Sequence, residues 1–251
     1  MAAGDGASAR GVHTTLHGGL LLIDKPKGIT SHDAVLAIRR LLPSGTKVGH
    51  SGTLDPLASG LLILLVGPAT KSAAYYQKLP KVYSGAIRLG TETETGDLDG
   101  KVVRESAVPE ITASELQKKM ETFLGLIEMQ PPIYSAVKYK GKPLYTYARK
   151  GIDVPRKSRA CRIYEWVLLE SALPEIRFRL RCSHGTYARV LAVELGRTLG
   201  CAAVLSDLRR ERIGDFDISD AHRLETLKTL PISGLISSLR PATVSSEPIR
   251  L

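Results

Sequence analysis

The chain has 251 residues, which suffices for one large domain or two small ones with a substantial core. Apolar residues make up 43% and charged residues 24%, so wholesale disorder is excluded. The longest apolar runs are too short to cross a bilayer, and the N-terminus lacks the apolar segment of a secretory signal. Three widely spaced cysteines fit neither a disulfide framework nor a metal site, which predicts a cytoplasmic protein without a metal.

Short apolar segments alternate with amphipathic ones along the chain. The first segment, 19–24, predicts a strand, and Thr30 or Ser31 can cap a helix that runs to about Leu42. The purely apolar run 61–66 predicts a strand buried on both faces. The remaining expected elements are a short helix at 70–78, a strand at 82–89, a polar loop at 91–100, a helix at 112–124, a strand pair at 161–170 and 176–182, and a helix at 187–199.

This alternation, without internal repeats or a long linker, predicts one mixed α/β domain of the α+β type. We expect a loose N-terminal tail over 1–18, a catalytic domain over 19–230 and a short C-terminal tail over 231–251. In the last predicted helix, Arg189 follows Tyr187 by two positions. Residues two apart on a helix point in different directions, so these two side chains could serve different partners.

One carboxylate lies in an unusual context. The segment GHSGTLDPLASG (49–60) contains three glycines, and Pro56 fixes the backbone directly after Asp55. Because the buried strand 61–66 follows at once, Asp55 is predicted to lie on a loop that enters the core. Taken alone, the motif fits a turn-capping aspartate as well as a functional one.

The net charge of +10 is concentrated in one segment. Between Lys138 and Arg162 there are nine basic residues and one acid, and four tyrosines lie within or just before this stretch. Basic side chains interleaved with tyrosines suit RNA, because they can contact phosphates while the rings stack on bases. A solvated, highly charged surface would carry the same pattern.

Six blocks occur in an order known from one enzyme family. They are GLLLIDKPKGITS (19–31), KVGHSGTLDPLASGLLILLVGPATK (47–71), KVYSGAIRLG (81–90), TETGDLDG (93–100), PPIYSAVKYKGKPLYTYARKG (131–151) and SHGTYARVLAVELG (183–196). Over about 200 of its 251 residues the chain closely resembles the TruB-type tRNA pseudouridine synthases.

The resemblance implies a pseudouridine synthase fold, with a mixed, mainly antiparallel central sheet flanked by helices and an RNA-gripping insertion at 131–162. It implies isomerisation of the uridine at position 55 in the T-loop of tRNA, by base flipping and without a cofactor. The chain ends too early for the C-terminal PUA domain of many relatives. We therefore expect a stand-alone, monomeric enzyme that binds the T-arm and uses neither a guide RNA nor a membrane.

The resemblance also assigns roles to residues. Asp55 acts on the ribose as nucleophile or in an elimination, Arg189 pairs with it and keeps it ionised, and Tyr83 stacks on the base and assists proton removal. His50 is expected to fill the position that the flipped uridine leaves. The other residues implied to bind substrate are Tyr187, Leu208 and Asp97.

Two further groups of residues match the family pattern. Lys25 and Pro26 belong to a block that supports the Asp55 loop, so we expect them to be structural. Contacts with the RNA backbone are expected from Lys138, Lys140, Lys142, Arg149, Lys150, Arg156, Lys157 and Arg159. An alternative to the enzyme is a module that promotes tRNA folding without catalysis, and a third possibility is a basic nucleic-acid-binding domain without an active site.

Overall fold

The computed structural model describes residues 18–242. The predicted N-terminal tail, except Gly18, and the part of the predicted C-terminal tail from 243 onward lie outside the described residues.

Strands make up most of the described fold. They are β1 (Gly19–Lys25), β2 (Val48–His50), β3 (Ser59–Val66), β4 (Lys81–Leu89), β5 (Thr91–Thr93), β6 (Val102–Glu105), β7 (Gly125–Met129), β8 (Lys138–Tyr139), β9 (Lys142–Pro143), β10 (Arg159–Ala172), β11 (Glu175–Cys182), β12 (Ala203–Ile213), β13 (Phe216–Asp217) and β14 (His222–Arg223). The helices are α1 (Ser31–Leu41), α2 (Ala73–Lys78), α3 (Ala113–Glu121), α4 (Leu144–Ala148), α5 (Ala188–Thr198), α6 (Leu224–Thr229) and α7 (Ile232–Ser237).

A mixed sheet forms the centre of the molecule. Its main path has the order β14-β1-β3-β12-β4-β11-β10-β7, with β2 paired to β3 and β13 to β12. Strand pairs β1–β14 and β3–β12 are parallel, and the other pairs of this sheet in the described residues are antiparallel. The predicted mixed, mainly antiparallel sheet with flanking helices is therefore confirmed.

Reciprocal caps define the starts of two predicted helices. The Thr30 hydroxyl accepts a hydrogen bond from the Asp33 backbone N–H, and the Asp33 carboxylate accepts one from the Thr30 N–H. Thr112 and Glu115 repeat this arrangement at α3. Such a cap stabilises a helix by about 1 kcal/mol because it pairs backbone donors that have no partner within the helix.

Strand β3 separates two apolar clusters. Leu62 and Leu64 face α1, α6 and α7, whereas Leu61 and Ile63 pack with Tyr76 on the opposite face. All four leucine and isoleucine side chains are completely buried, which confirms the prediction of a strand covered on both faces.

The third and largest cluster lies on the other half of the sheet. It joins α3 and α5 to strands β4, β10, β11 and β12, and it includes Trp166, Phe178, Leu191 and Leu195. Burial of large side chains makes this half of the sheet a rigid base for the loops at its edge.

Several elements differ from the expectations. The predicted helix at 70–78 begins as a 3₁₀ turn, Gly67–Ser72, and becomes α-helical only at Ala73. Strand β12, at the centre of the sheet, was not predicted, because the charged residues of SDLRRERI hide the alternation of its buried positions. The ordered chain also continues beyond 230, since α7 buries Leu235 and the backbones of Leu20 and Arg240 form a bridge.

Gly60 offers a test of the close approach between β3 and β12. Its φ is +107°, and a Cβ there would overlap the backbone of Arg210. Gly45 has φ +81° but open space around it. Strain in the backbone alone costs about 1–2 kcal/mol for alanine at positive φ. We expect Gly60→Ala to lower the free energy of unfolding in urea by clearly more than Gly45→Ala, and equal losses would contradict the close approach.

Candidate active site

A cavity of about 400 Å³ opens where the loop 51–58 meets β4, β12 and the start of α5. Six predicted site residues line it, namely His50, Asp55, Tyr83, Tyr187, Arg189 and Leu208. Asp97 is not among the lining residues, but it contacts Arg189. Segments far apart in sequence thus contribute to one site.

Hydrogen bonds hold the Asp55 loop from the side of α1. The Ser31 hydroxyl donates to the Leu54 carbonyl at 3.0 Å and accepts from the Leu54 N–H at 2.8 Å. The Gly28 N–H donates to the Pro56 carbonyl at 2.8 Å. Lys25 is fully buried and donates to two carbonyls of its own turn, which agrees with the structural role expected for this block.

The guanidinium of Arg189 joins Asp55 to three other groups. Its Nε lies 2.9 Å from Asp55 Oδ2 and 3.4 Å from Asp97 Oδ2, so the expected ion pair with Asp55 is present. Its two terminal nitrogens donate to the carbonyls of Thr95 and Tyr134, at 2.8 and 3.0 Å. The Arg189 side chain is 6% exposed and that of Asp55 is 36% exposed. The carboxylate is therefore open to the cavity while its counter-ion is shielded from water.

Two tyrosines form walls of the cavity. Burial raises the pKa of the Tyr83 hydroxyl, and it also raises the pKa of Tyr187. Tyr187 is the N-cap of α5, in an extended conformation, and is not part of the helix. Tyr187 and Arg189 both line this cavity, and Arg189 pairs there with Asp55. That the two side chains serve different partners stays a prediction.

His50 lies at the end of β2, next to the loop. Its Nδ1 accepts a hydrogen bond from the Gly52 N–H at 3.3 Å, which places the ring proton on Nε2. Burial lowers the pKa of His50, and the charge of Arg210 lowers it further. The ring is thus neutral at neutral pH and can enter a base stack without carrying a charge.

Comparisons with known proteins agree with this geometry. A family model described as the TruB family pseudouridylate synthase N-terminal domain matches residues 39–188. A second, the tRNA pseudouridylate synthase B C-terminal domain, matches residues 189–237. The chain belongs to the TruB family.

Curated relatives of this TruB-family chain include two bacterial proteins named tRNA pseudouridine synthase B. The protein of Opitutus terrae is 45% identical over 223 residues, which cover 89% of this chain and 92% of the relative. The protein of Endomicrobium trichonymphae is 48% identical over 207 residues, which cover 82% of this chain and 90% of the relative.

Solved structures with the same fold include a chain of a Cbf5-Nop10-Gar1 complex, with a TM-score of 0.69 and 27% identity. A chain of an H/ACA RNP bound to a substrate RNA containing 2'-deoxyuridine has a TM-score of 0.62 and 26% identity. These matches cover 89% and 84% of this chain. This chain spans 60% and 52% of the two longer chains.

Two buried cationic side chains line the cavity but were not predicted from the sequence. Arg210, on β12, is 1% exposed, and its Nε donates to the Leu61 carbonyl at 2.7 Å. Lys81, at the start of β4, is 6% exposed and donates to the carbonyls of Gln77 and Leu79. Burial lowers the pKa of Lys81 to about 7, and Arg210 lowers it as well. Arg210 occurs in a mostly charged run, 207–212, which in sequence resembles an exposed surface. Lys81 follows Lys78 and precedes a predicted strand, and nothing in this pattern predicts its burial.

The basic insertion adjoins the cavity. It contains the β8–β9 hairpin and α4, and residues 135–137 form part of the cavity wall. Lys140 lies 5.6 Å from the centre of the Tyr139 ring, and Arg149 lies 5.3 Å from that of Tyr145. These cation–π contacts order side chains that are otherwise solvated.

The cations expected to contact RNA do not all have the same surroundings. Arg156 is partly buried and donates to the Pro131 carbonyl at 3.3 Å, which ties the two ends of the insertion together. Arg159 is exposed and also lines the cavity. The exposed cations of the expected set are Lys138, Lys140, Lys142, Arg149, Lys150, Lys157 and Arg159.

Two features are absent from residues 18–242, a metal-binding cluster and a membrane-spanning helix. They contain no group of three or more His, Cys, Asp or Glu side chains that could hold a metal ion. No helix in this range is long and apolar enough to cross a membrane.

The pKa of Lys81 predicts a specific dependence of stability on pH. The pKa of Lys81 is about 7 in the folded protein, against the ordinary value of 10.5 in the unfolded chain. Between these two pH values the unfolded chain holds a proton on Lys81 that the folded chain has lost. Lys81 should therefore contribute a rise of stability with pH over this range. We expect Lys81→Met to flatten the rise, measured by urea denaturation at several pH values from 7 to about 10.

The matched control for this experiment is Lys78→Met, at an exposed position at the end of α2. This variant should keep the slope of the wild type. Lys25, whose pKa burial lowers to about 8, contributes equally in all three proteins. Identical slopes for wild type and Lys81→Met would contradict the lowered pKa.

Proposed function

We propose that this chain isomerises uridine to pseudouridine in tRNA, at position 55 of the T-loop, with Asp55 acting on the ribose. The observation that carries the proposal is an accessible Asp55 carboxylate, held 2.9 Å from a shielded arginine in a cavity with two tyrosines. The names of the curated relatives support the type of reaction and the tRNA substrate.

The chemistry explains the need for a carboxylate. The bond between ribose C1′ and uracil N1 breaks, and its electron pair leaves with the base. Asp55 either bonds to the electron-poor C1′ or assists an elimination on the ribose. After the uracil has turned, its C5 attacks C1′ and displaces Asp55 if that carboxylate is bonded there. Loss of the C5 proton and protonation of N1 then complete the isomerisation. Arg189 balances the charge of Asp55 when RNA excludes water, and Asp97 helps to orient that arginine.

The cavity walls suit a flat, uncharged base. Tyr83 and Tyr187 offer aromatic surfaces, and Leu208, 7% exposed, adds an apolar one. A uridine must leave its stack to reach them, at a cost of a few kcal/mol. His50, neutral and beside the loop, is proposed to occupy the vacated position, while Tyr83 also assists removal of the C5 proton.

The insertion is proposed to bind the T-arm. Its exposed cations lie next to the cavity, so they can contact phosphates on either side of a flipped nucleotide. We propose that the chain acts on tRNA alone, as a monomer without a guide RNA, in the cytoplasm. This proposal predicts that the purified protein alone forms pseudouridine in an unmodified tRNA transcript.

Asp55→Asn separates catalysis from binding. The amide keeps the size of the side chain but can neither attack C1′ nor act as a base, so pseudouridine formation on a tRNA transcript should fall below detection. Affinity for the transcript should change by less than about tenfold. The product is measured by release of tritium from C5 of the labelled uridine.

The control is Asp215→Asn, at an exposed turn between β12 and β13, which should retain full activity. Asp55→Asn with wild-type activity would refute the catalytic role. If the wild type binds tRNA and speeds its folding but forms no pseudouridine, the chain is a folding module and the enzyme proposal fails.

The role of the insertion predicts a change in salt dependence. We expect Lys140→Gln/Lys142→Gln to weaken tRNA binding and to reduce the slope of log affinity against log salt by about 0.7–0.9 per lost phosphate contact. Lys118→Gln/Lys119→Gln removes the same charge from exposed positions on α3 and should leave the slope nearly unchanged. Equal effects of the two pairs would show that only net charge matters.

A further inference from the structure

Arg210 occupies the position in the sheet at which the two halves of the site meet. In strand β12 it lies opposite Tyr83 of β4 on one side and Gly60 of β3 on the other. Strand β4 carries Tyr83 into the cavity, and β3 follows directly after the Asp55 loop. The backbone of Arg210 thus joins both strands, and its side chain lines the cavity between them.

The guanidinium contacts both of these elements. Its Nε donates to the Leu61 carbonyl at 2.7 Å, at the start of the buried part of β3. Its terminal nitrogens lie 3.4 Å from the carbonyls of Thr53 and Gly52, in the loop that leads to Asp55. On the other side Arg210 lies beside Tyr83, its pairing partner in β4, and both residues line the same cavity. One planar group therefore spans the distance between the proposed nucleophile's loop and the aromatic ring.

Arg210 differs from Arg189, the other buried arginine of the cavity, in its lack of an acidic partner within the described residues. Within residues 18–242 it takes part in no ion pair, although it is almost completely buried. Its neighbour Arg209 is partly exposed and pairs with Asp24 at 2.9 Å. A buried arginine normally has a carboxylate partner, because an unpaired charge in the interior costs several kcal/mol. In place of a carboxylate, Arg210 has the backbone carbonyls of Leu61, Thr53 and Gly52 and the neighbouring Tyr83.

This arrangement has electrostatic consequences inside the cavity. Burial raises the pKa of Tyr83, whereas Arg210 and its hydrogen bond to the hydroxyl act in the opposite direction. The same charge adds to the effect of burial on His50 and Lys81, whose pKa values are lowered. Arg210 thus favours the uncharged forms of His50 and Lys81, whereas Asp55 has Arg189 as its charged partner.

We propose that Arg210 is a positioning residue for the isomerisation, and that it acts by tying Tyr83 to the Asp55 loop. The tie keeps the aromatic ring and the carboxylate at a fixed separation while a nucleotide enters and the base turns between them. This inference rests on the proposed function, since it needs a reaction in which both groups take part.

The shape of arginine explains why another cation would not suffice. Its rigid fork donates in several directions in one plane, to the Leu61 carbonyl and to the loop carbonyls of Gly52 and Thr53, while its backbone is paired with Tyr83. A lysine keeps the charge but has a single nitrogen, which cannot bridge these groups at once. A methionine keeps much of the length and removes both charge and donors.

The experiment compares Arg210→Met, Arg210→Lys and Arg209→Met with the wild type. Single-turnover pseudouridine formation and affinity are measured on one unmodified tRNA transcript, and thermal unfolding is followed in parallel. A displacement of about 1 Å in an active site can slow a reaction about 100-fold. We expect a loss of that size for Arg210→Met, a smaller loss for Arg210→Lys, and tRNA affinity within about tenfold of wild type for both. Arg209→Met should react at the wild-type rate.

A double-mutant cycle with Tyr83→Phe tests the route of action. If Arg210 acts through Tyr83, the double variant Tyr83→Phe/Arg210→Met should be no slower than the slower single variant, because the effects are not additive when two residues act as one unit. Multiplicative losses would overturn the proposal, since they would mean independent roles.

The remaining outcomes are also decisive. If Arg210→Met does not fold, the comparison rests on Arg210→Lys, and a folded Arg210→Lys with the wild-type rate would refute the tie. A loss that appears entirely in affinity would make Arg210 an RNA-binding residue and would also overturn the inference. A wild type without activity would instead overturn the proposed function, and the inference with it.

Discussion

The site depends on the ion pair between Arg189 and Asp55, whose side chains differ in their exposure to solvent. Arg189 is buried at the start of α5, and its guanidinium reaches the Asp55 loop, the Thr95–Asp97 turn and the insertion at Tyr134. The guanidinium, which α5 carries, therefore contacts three other segments of the chain. Because the arginine is shielded and the Asp55 carboxylate is not, the negative charge can face the cavity without losing its counter-ion to solvent.

The rest of the cavity is built around a second buried guanidinium. Arg210 lies on the far side of the same loop, where it contacts the carbonyls of Gly52 and Thr53. The two arginines differ in their partners, since Arg189 is neutralised by carboxylates and Arg210 is not. The loop with Asp55 is therefore held by charge on one side and by oriented dipoles on the other. Such a double anchor limits the movement of the carboxylate, as the proposed reaction at a ribose carbon requires.

Local patterns predicted the elements whose signals are contained in a few adjacent residues. Thr30 with Asp33 and Thr112 with Glu115 specify helix starts, and the run 61–66 specifies a buried strand. Strand β12 was missed because its arginines are either buried against carbonyls or paired across the sheet, as Arg209 is with Asp24. A charged residue in sequence does not reveal which of these environments it will occupy.

The sequence by itself determined the family, the catalytic aspartate as a candidate and its pairing with Arg189, because these follow from residue types in ordered motifs. The tertiary structure alone showed how Tyr187 and Arg189, two positions apart, both line one cavity, since Tyr187 precedes the helix in an extended conformation. It alone revealed Arg210 and Lys81 as buried cations beside Asp55. The physical reason is that burial and charge compensation depend on neighbours from distant strands, which a linear pattern does not contain.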